Sequence, residues 1–222
     1  MDGFDQALDT PDDLRTVYRP AVGGSVAKQI AHLDDNCRAF IAHSPFVVVS
    51  TADDTGRCDT SPRGGPPGFV TVLDDHRLAI PDLSGNNRLD TMENLVRSNG
   101  IGLLFLIPGM DETLRVNGRA TVTTDPAVLD ACPVGDVRPK VVVGVTVEEA
   151  YIHCAKALRR AGLWDPAAWP DTTHLPSAAC MLRDHLKLPD VEPEAIERDL
   201  EVAYEHTMWV AGGDEPWRTD GG

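Results

Sequence analysis

Between Ser44 and Val147 the chain offers one short apolar, β-branched run after another, separated by turn-forming residues, and no other feature limits its possible folds as much. Phe46-Val47-Val48-Val49-Ser50-Thr51 leads into the acidic turn Asp53-Asp54-Thr55-Gly56 and a second extended segment, Arg57 to Ser61, so this stretch reads as a hairpin. Further strands are expected at Gly68 to Leu73, Arg77 to Pro81, Ile101 to Ile107, Thr113 to Thr124 and Lys140 to Val147. Strands this short and this closely spaced favour an antiparallel barrel over a doubly wound sheet.

Helices are expected on either side of the barrel and once within it. Pro11-Asp12-Asp13 suits a helix start, and Leu33, Cys37, Phe40 and Ile41 form an apolar stripe at helical spacing. Asn86 to Ser98 carries Leu89, Met92, Leu95 and Val96 on one face, with Ser84, Asn86 or Asn87 able to cap it. Glu148 to Ala161 has helical periodicity, Asp165 to Pro176 is a proline-rich loop, and two more helices are expected near Ser177 to Leu186 and Pro193 to His206. The tail from Gly212 to Gly222 is expected to fray. The chain of 222 residues, 42% of them hydrophobic, can bury one real core. It divides into a helical lead-in (1–43), the barrel (44–164) and a helical C-terminal extension packed on the barrel (165–222).

Charge and cysteine usage narrow the partners. A formal charge of −15 repels nucleic acid phosphates and anionic membranes. No run approaches the roughly 18 apolar residues of a membrane helix, and Met1 to Thr10 is acidic rather than basic and then apolar, so a cytoplasmic protein is expected. Cys37, Cys58, Cys132, Cys154 and Cys180 are odd in number, scattered and free of any C-x-x-C pair. They are expected to be reduced thiols, mostly buried, with no metal site.

Local cation clusters point to a small anion. Lysine is absent between Lys28 and Lys140, whereas Arg57, Arg63, Arg77, Arg88, Arg97, Arg115 and Arg119 fall in that interval. Guanidinium suits bidentate phosphate binding, although a plain arginine preference produces the same count. Ser84-Gly85-Asn86-Asn87-Arg88 is a glycine-containing turn opening the expected helix, where free N–H groups and the macrodipole favour an anion. Arg88 in a first helical turn opposes that macrodipole, so either a bound anion compensates it or it points into solvent. A second cluster, Thr60 to Gly68, ends a strand with Arg63 beside glycines that permit close backbone approach. G-x-S-x-G, G-x-G-x-x-G, the P-loop and H-E-x-x-H are all absent, which leaves hydrolase, kinase and zinc-protease readings without support.

Taken in order, these segments resemble the pyridoxamine 5′-phosphate oxidase-like family of FMN-binding split-barrel proteins, and most closely its uncharacterised FMN-dependent members. The resemblance rests on Ser61-Pro62-Arg63-Gly64, Leu78-Ala79-Ile80-Pro81-Asp82, Gly85-Asn86-Asn87-Arg88-Leu89-Asp90, Gly102 to Gly109, Glu112 to Ala120, and Tyr151 to Leu158 with Leu163-Trp164. It implies a mainly β fold with helices, an antiparallel FMN-binding split β-barrel with N-terminal helices and a helical C-terminal extension. By position, Arg63 resembles the strand arginine that reaches the FMN phosphate, and Asn86, Asn87 and Arg88 the phosphate cradle. Ser61, Pro62 and Gly64 then lie along the isoalloxazine or ribityl chain, with Pro81 and Asp82 facing the ring.

The family places FMN at a dimer interface, so the resemblance implies a homodimer in which Thr113 and Arg115 complete the partner's site. His153, Cys154 and Lys156, presented on a helix at the barrel mouth, are candidate substrate contacts, the alternative being core for Cys154 and a satisfied surface residue for His153. The implied activity is that of an FMN-dependent oxidoreductase transferring a hydride or electrons at the flavin, with NAD(P)H a candidate donor. The alternatives are a flavin sensor or store without turnover, a haem protein using His43, His153 or His185 as axial ligand, and a deazaflavin in place of FMN. The C-terminal tryptophan and arginine substrate motif of the oxidases proper is missing near Met208-Trp209 and Trp217-Arg218, which argues against pyridoxamine phosphate as substrate.

Overall fold

A computed structural model of the chain describes residues 5–212. The last part of the expected frayed tail, including Trp217-Arg218, lies outside those residues. Seven strands form one antiparallel sheet: β1 (Phe46–Ala52), β2 (Cys58–Gly64), β3 (Thr71–Val72), β4 (Arg77–Pro81), β5 (Gly100–Leu106), β6 (Thr113–Thr123) and β7 (Val142–His153). Their spatial order, β2-β1-β5-β6-β7-β4-β3, bears out the split β-barrel with helices. Around it lie α1 (Pro11–Val17), α2 (Gly24–Ala27), α3 (Asp35–His43), α4 (Asp90–Arg97), α5 (Pro126–Ala131), α6 (Lys156–Ala161), α7 (Ala178–His185) and α8 (Pro193–Thr207). No helix among the described residues is long and apolar enough to cross a membrane.

Local chemistry explains most of these boundaries. Thr10 and Asp13 close a reciprocal capping box on α1, and Asp34 caps α3 by accepting the Cys37 N–H at 2.8 Å. In the β1–β2 hairpin, Asp53 Oδ1 accepts from the N–H groups of Thr55 and Arg57 at 2.8 and 2.9 Å, and Gly56 takes a φ of +85°. Alternate residues of β1, β5, β6 and β7 then turn inward. Val47, Val49, Ile101, Leu103, Phe105, Leu114, Val116 and Val145 meet the stripe of α3 and Leu95 of α4 in one core.

The segment expected to be helical from Glu148 to Ala161 is instead strand as far as His153, and only Lys156–Ala161 is helix. A β-bulge explains the misleading period. Gly118 faces Val147 and Asn117 faces Glu149, so Glu148 is an extra residue, and Val147 and Ala150 both turn inward although three positions apart. Their spacing imitates a helix. The segment is further tied by the antiparallel bridge between Ile30 and Ala150, with N···O distances of 3.0 and 2.7 Å.

Gly118, at the bulge between the two long strands, has no room for a side chain. A Cβ there would overlap the Thr146 carbonyl oxygen, which is backbone in a paired strand and cannot swing aside. Gly118→Ala is therefore expected to destabilise the fold by about 1–3 kcal/mol, seen as a lower urea midpoint, whereas Gly100→Ala, with open space around it, serves as the control.

The cysteines depart from expectation. Cys37 and Cys132 are buried, but Cys58 and Cys154 are exposed and Cys180 is half-buried; all five are free thiols. Burial pushes the Cys37 thiol up to about 11.

Candidate functional site

The β1–β2 register decides which β2 side chains face the interior. Arg63, Ser61 and Asp59 stand opposite Val47, Val49 and Thr51, whose side chains are buried, so all three point to the inner face. α4 packs on this face and brings Thr91 onto them. The Thr91 hydroxyl donates to Asp59 Oδ2 at 2.6 Å, and the Ser61 hydroxyl donates to the same carboxylate at 3.0 Å. Arg63 donates through Nη2 to Thr91 Oγ1 at 3.3 Å and through Nη1 to the Pro62 carbonyl at 2.9 Å. Among the described residues no carboxylate is bonded to Arg63. Neither Asp59 nor Thr91 was among the residues expected here. Asp59 was detectable by its i, i+2, i+4 alternation with Ser61 and Arg63, but nothing local marks Thr91, which arrives from a helix about thirty residues on.

Between β2, the end of β4 and α4 lies a cavity of about 540 Å³, a volume suited to a cofactor or small ligand. Its walls include Ser61, Pro62, Arg63, Gly64, Pro81, Asp82, Asn86, Asn87 and Arg88. Two stretches more than fifteen residues apart in sequence thus line one space. The C-terminal segment reaches its rim: the Ser84 N–H donates to the Val210 carbonyl at 2.9 Å and the Gly212 N–H to the Asp82 carbonyl at 3.1 Å.

The helix at this site begins later than expected. Asn87 and Leu89 take φ values of 55° and 60°, the left-handed region, so the chain turns before α4 starts at Asp90. None of Ser84, Asn86 or Asn87 caps it. Asn86 Oδ1 instead accepts the Arg88 N–H at 3.1 Å, and Arg88 pairs with Asp90 at 2.8 Å. Arg88 is accordingly exposed and outside the helix, and its charge is offset by a carboxylate rather than opposed to a first turn. α4 lacks a side-chain cap, so its first N–H groups, at Asp90, Thr91 and Met92 along the cavity wall, keep free donors.

Asp82 lies in the cavity wall, half-buried. Burial raises its pKa above 3.8, and the Arg63 charge opposes that rise only in part. An acid with a raised folded pKa contributes stability that is complete below the unfolded value and is lost as pH rises through the folded one. Asp82→Asn in the ligand-free protein is expected to raise the melting temperature at pH 7 and leave it little changed near pH 3. An equal gain at both pH values would show that the carboxylate charge is not the cost.

Thr113 and Arg115 lie elsewhere, on the face of β6 beside β7. Thr113 is buried opposite His153, and Arg115 stands opposite Tyr151 and donates to its hydroxyl at 2.9 Å. The expected helix presenting His153, Cys154 and Lys156 does not form. His153 ends β7, Cys154 is exposed in the connection, and Lys156 opens α6. His43, His153 and His185 do not line the cavity; His43 Nδ1 lies 2.7 Å from the Ala39 carbonyl within α3. No cluster of three or more His, Cys, Asp or Glu side chains suited to a metal occurs among the described residues.

A family model described as pyridoxamine 5′-phosphate oxidase matches residues 33–154. No curated protein matches the chain. Among solved structures, HupZ from Group A Streptococcus is similar at 21% identity, with 53% of this chain and 90% of that one covered and a TM-score of 0.44. A Clostridium acetobutylicum protein related to general stress protein 26 is similar at 16% identity, covering 53% and 85% with a TM-score of 0.41. Rv2991 from Mycobacterium tuberculosis is similar at 12% identity, covering 65% and 92% with a TM-score of 0.43.

Proposed function

Because the chain belongs to the pyridoxamine 5′-phosphate oxidase family, we propose that it binds FMN in the cavity between β2, β4 and α4 and acts as an oxidoreductase on a small molecule. The observation that carries this reading is the single cavity of about 540 Å³ into which Ser61, Arg63, Asp82, Asn86, Asn87 and Arg88 are gathered.

The donor set fits a phosphate-bearing flavin. Arg63 presents a guanidinium oriented by Thr91 and free of any carboxylate bond among the described residues, and the uncapped start of α4 offers backbone N–H groups beside it. Arg88 lines the same cavity and joins them by exchanging Asp90 for a phosphate. Ser61, Pro62 and Gly64 supply the β2 wall, and Pro81 and Asp82 the β4 wall. When bound, the flavin supplies hydride or electron transfer at its N5, with NAD(P)H as a candidate donor. The protein's part is to fix the phosphate end, exclude water from the inner wall and hold Asp82 in a setting that favours its protonated form. In a homodimer, the β6 face that carries Thr113 and Arg115 borders the partner's cavity.

An absorption spectrum of the purified protein tests the reading, with mass spectrometry of whatever chromophore heat releases. Bands near about 375 and 450 nm with a released mass of FMN support it. A colourless protein that takes up no added FMN overturns it. A flavin-loaded protein that NAD(P)H does not reduce would be a flavin store rather than an NAD(P)H-dependent enzyme.

A further inference from the structure

Two cations share the ring of Tyr151, with no carboxylate bonded to either among the described residues. Lys28 Nζ lies 5.2 Å from the ring centroid and donates to the Ile152 carbonyl at 2.7 Å. Arg115 Cζ lies 5.5 Å from the same centroid, and its Nη1 donates to the Tyr151 hydroxyl. Arg38, Arg77, Arg88, Arg97, Arg119, Arg138, Arg159 and Arg183 each pair with an Asp or Glu. In a chain of net charge −15, where carboxylates are plentiful, two adjacent cations that meet an aromatic ring instead stand apart from those arginines.

Neighbouring groups register the same positive field. Burial, then the charges of Arg115 and Lys28, lower the pKa of His153 and favour its neutral form. The Lys156 N–H, then the Lys156 and Lys28 charges, lower that of the Cys154 thiol. Lys28, Arg115 on β6 and His153 on β7 meet the ring; Glu149 precedes it on β7, and Cys154 and Lys156 follow at the start of α6. Glu149 is the acid among them, and it accepts a hydrogen bond from Asn117. His153 Nε2 is buried with no hydrogen-bond partner.

We propose that Lys28 and Arg115, set on the Tyr151 ring, form a binding site for an oxyanion, the carboxylate or phosphate group of a small substrate. That the oxyanion belongs to a substrate rests on the proposed flavin chemistry; its binding does not. Arg115 contributes a fork oriented by the Tyr151 hydroxyl, and Lys28 a point charge anchored on the Ile152 carbonyl. A bound anion offsets the two charges that add to burial in lowering the His153 pKa, so it raises that pKa. By linkage the anion binds more tightly as pH falls through the titration of that ring.

The test is to titrate the full chain with sodium phosphate and, separately, sodium succinate at constant ionic strength while the His153 ring is followed by NMR, its signal assigned with His153→Asn. Either anion is expected to bind saturably and move the His153 pKa upward; which one does so identifies the group. Lys28→Gln and Arg115→Gln are each expected to weaken binding about tenfold or more, whereas Arg159→Gln, whose charge Asp111 already offsets, leaves it unchanged. A non-saturable response, or a saturable one that survives Lys28→Gln at this exposed position, overturns the site. The titration is run on flavin-loaded and flavin-free protein. A response abolished by saturating FMN assigns the cations to the cofactor and overturns the substrate role. Failure of the flavin reading appears separately, in the absorption spectrum.

Discussion

Replacing Arg63 with alanine is expected to lower FMN affinity about a hundredfold, close to 3 kcal/mol, and Arg88→Ala only a few-fold. Both side chains line the cavity, but their surroundings differ. Arg63 is half-buried on the inner face of β2, held by Thr91 and the Pro62 carbonyl, and no carboxylate among the described residues is bonded to it. Its charge meets a phosphate without first breaking an ion pair, and burial lowers the dielectric in which the two interact. Arg88 is exposed, stands on a loop with left-handed turns on either side, and is bonded to Asp90 at 2.8 Å. Its gain on meeting a phosphate is reduced by the loss of that pair and by solvent screening. Titration of flavin-free protein with FMN, read by quenching of flavin fluorescence, compares the two variants. Equal losses, or a larger loss for Arg88→Ala, would show that the loop rather than the strand carries the phosphate.

Phe105→Ala is expected to destabilise the protein by about 3–5 kcal/mol, a large share of the roughly 5–15 kcal/mol that separates a folded domain from its unfolded chain. Phe105 is 0% exposed in β5, flanked by Val47 on β1 and Leu114 on β6, both also in the core. Removing its ring leaves a cavity between three hydrogen-bonded strands, which cannot close on it without breaking their register. Leu104→Ala is the comparison. Its side chain lies on the opposite face of the same strand, half-buried, and the loss there is expected to be about 1 kcal/mol. Urea unfolding of both variants in flavin-free protein checks the difference. Similar midpoints would mean that the outer face of the sheet is as well packed as the inner one.

The strands were legible because their signal is local. β-Branched runs between turn residues place Phe46 to Thr51, Arg77 to Pro81 and Thr113 to Thr124 with little context, each within a residue of its observed strand. The same holds for α3, whose apolar stripe and Asp34 cap are contained in a dozen residues. The failures share a different cause. Glu148 to His153 carries a helical spacing that becomes strand because β6 presents a complete row of backbone partners and a bulge absorbs one residue. The late start of α4 depends on left-handed conformations at Asn87 and Leu89, and leucine carries no intrinsic preference for that region. Cys58 and Cys154 were expected to be mostly buried from residue type alone, yet Cys58 opens a strand at the edge of the sheet and Cys154 sits in a connection.

Residue order was enough to establish the fold class and to mark two arginine-bearing stretches, Ser61 to Gly64 and Asn86 to Arg88, because strand period and turn chemistry are written within a few positions of one another. That these stretches line one cavity, while Thr113, Arg115 and His153 lie together elsewhere, is a property of the folded chain alone. So is the contact of Thr91 with both Asp59 and Arg63, and the meeting of Lys28 and Arg115 on one tyrosine. Those relations follow from strand register and from a helix crossing a sheet, which join residues tens of positions apart; no local pattern encodes a contact of that kind.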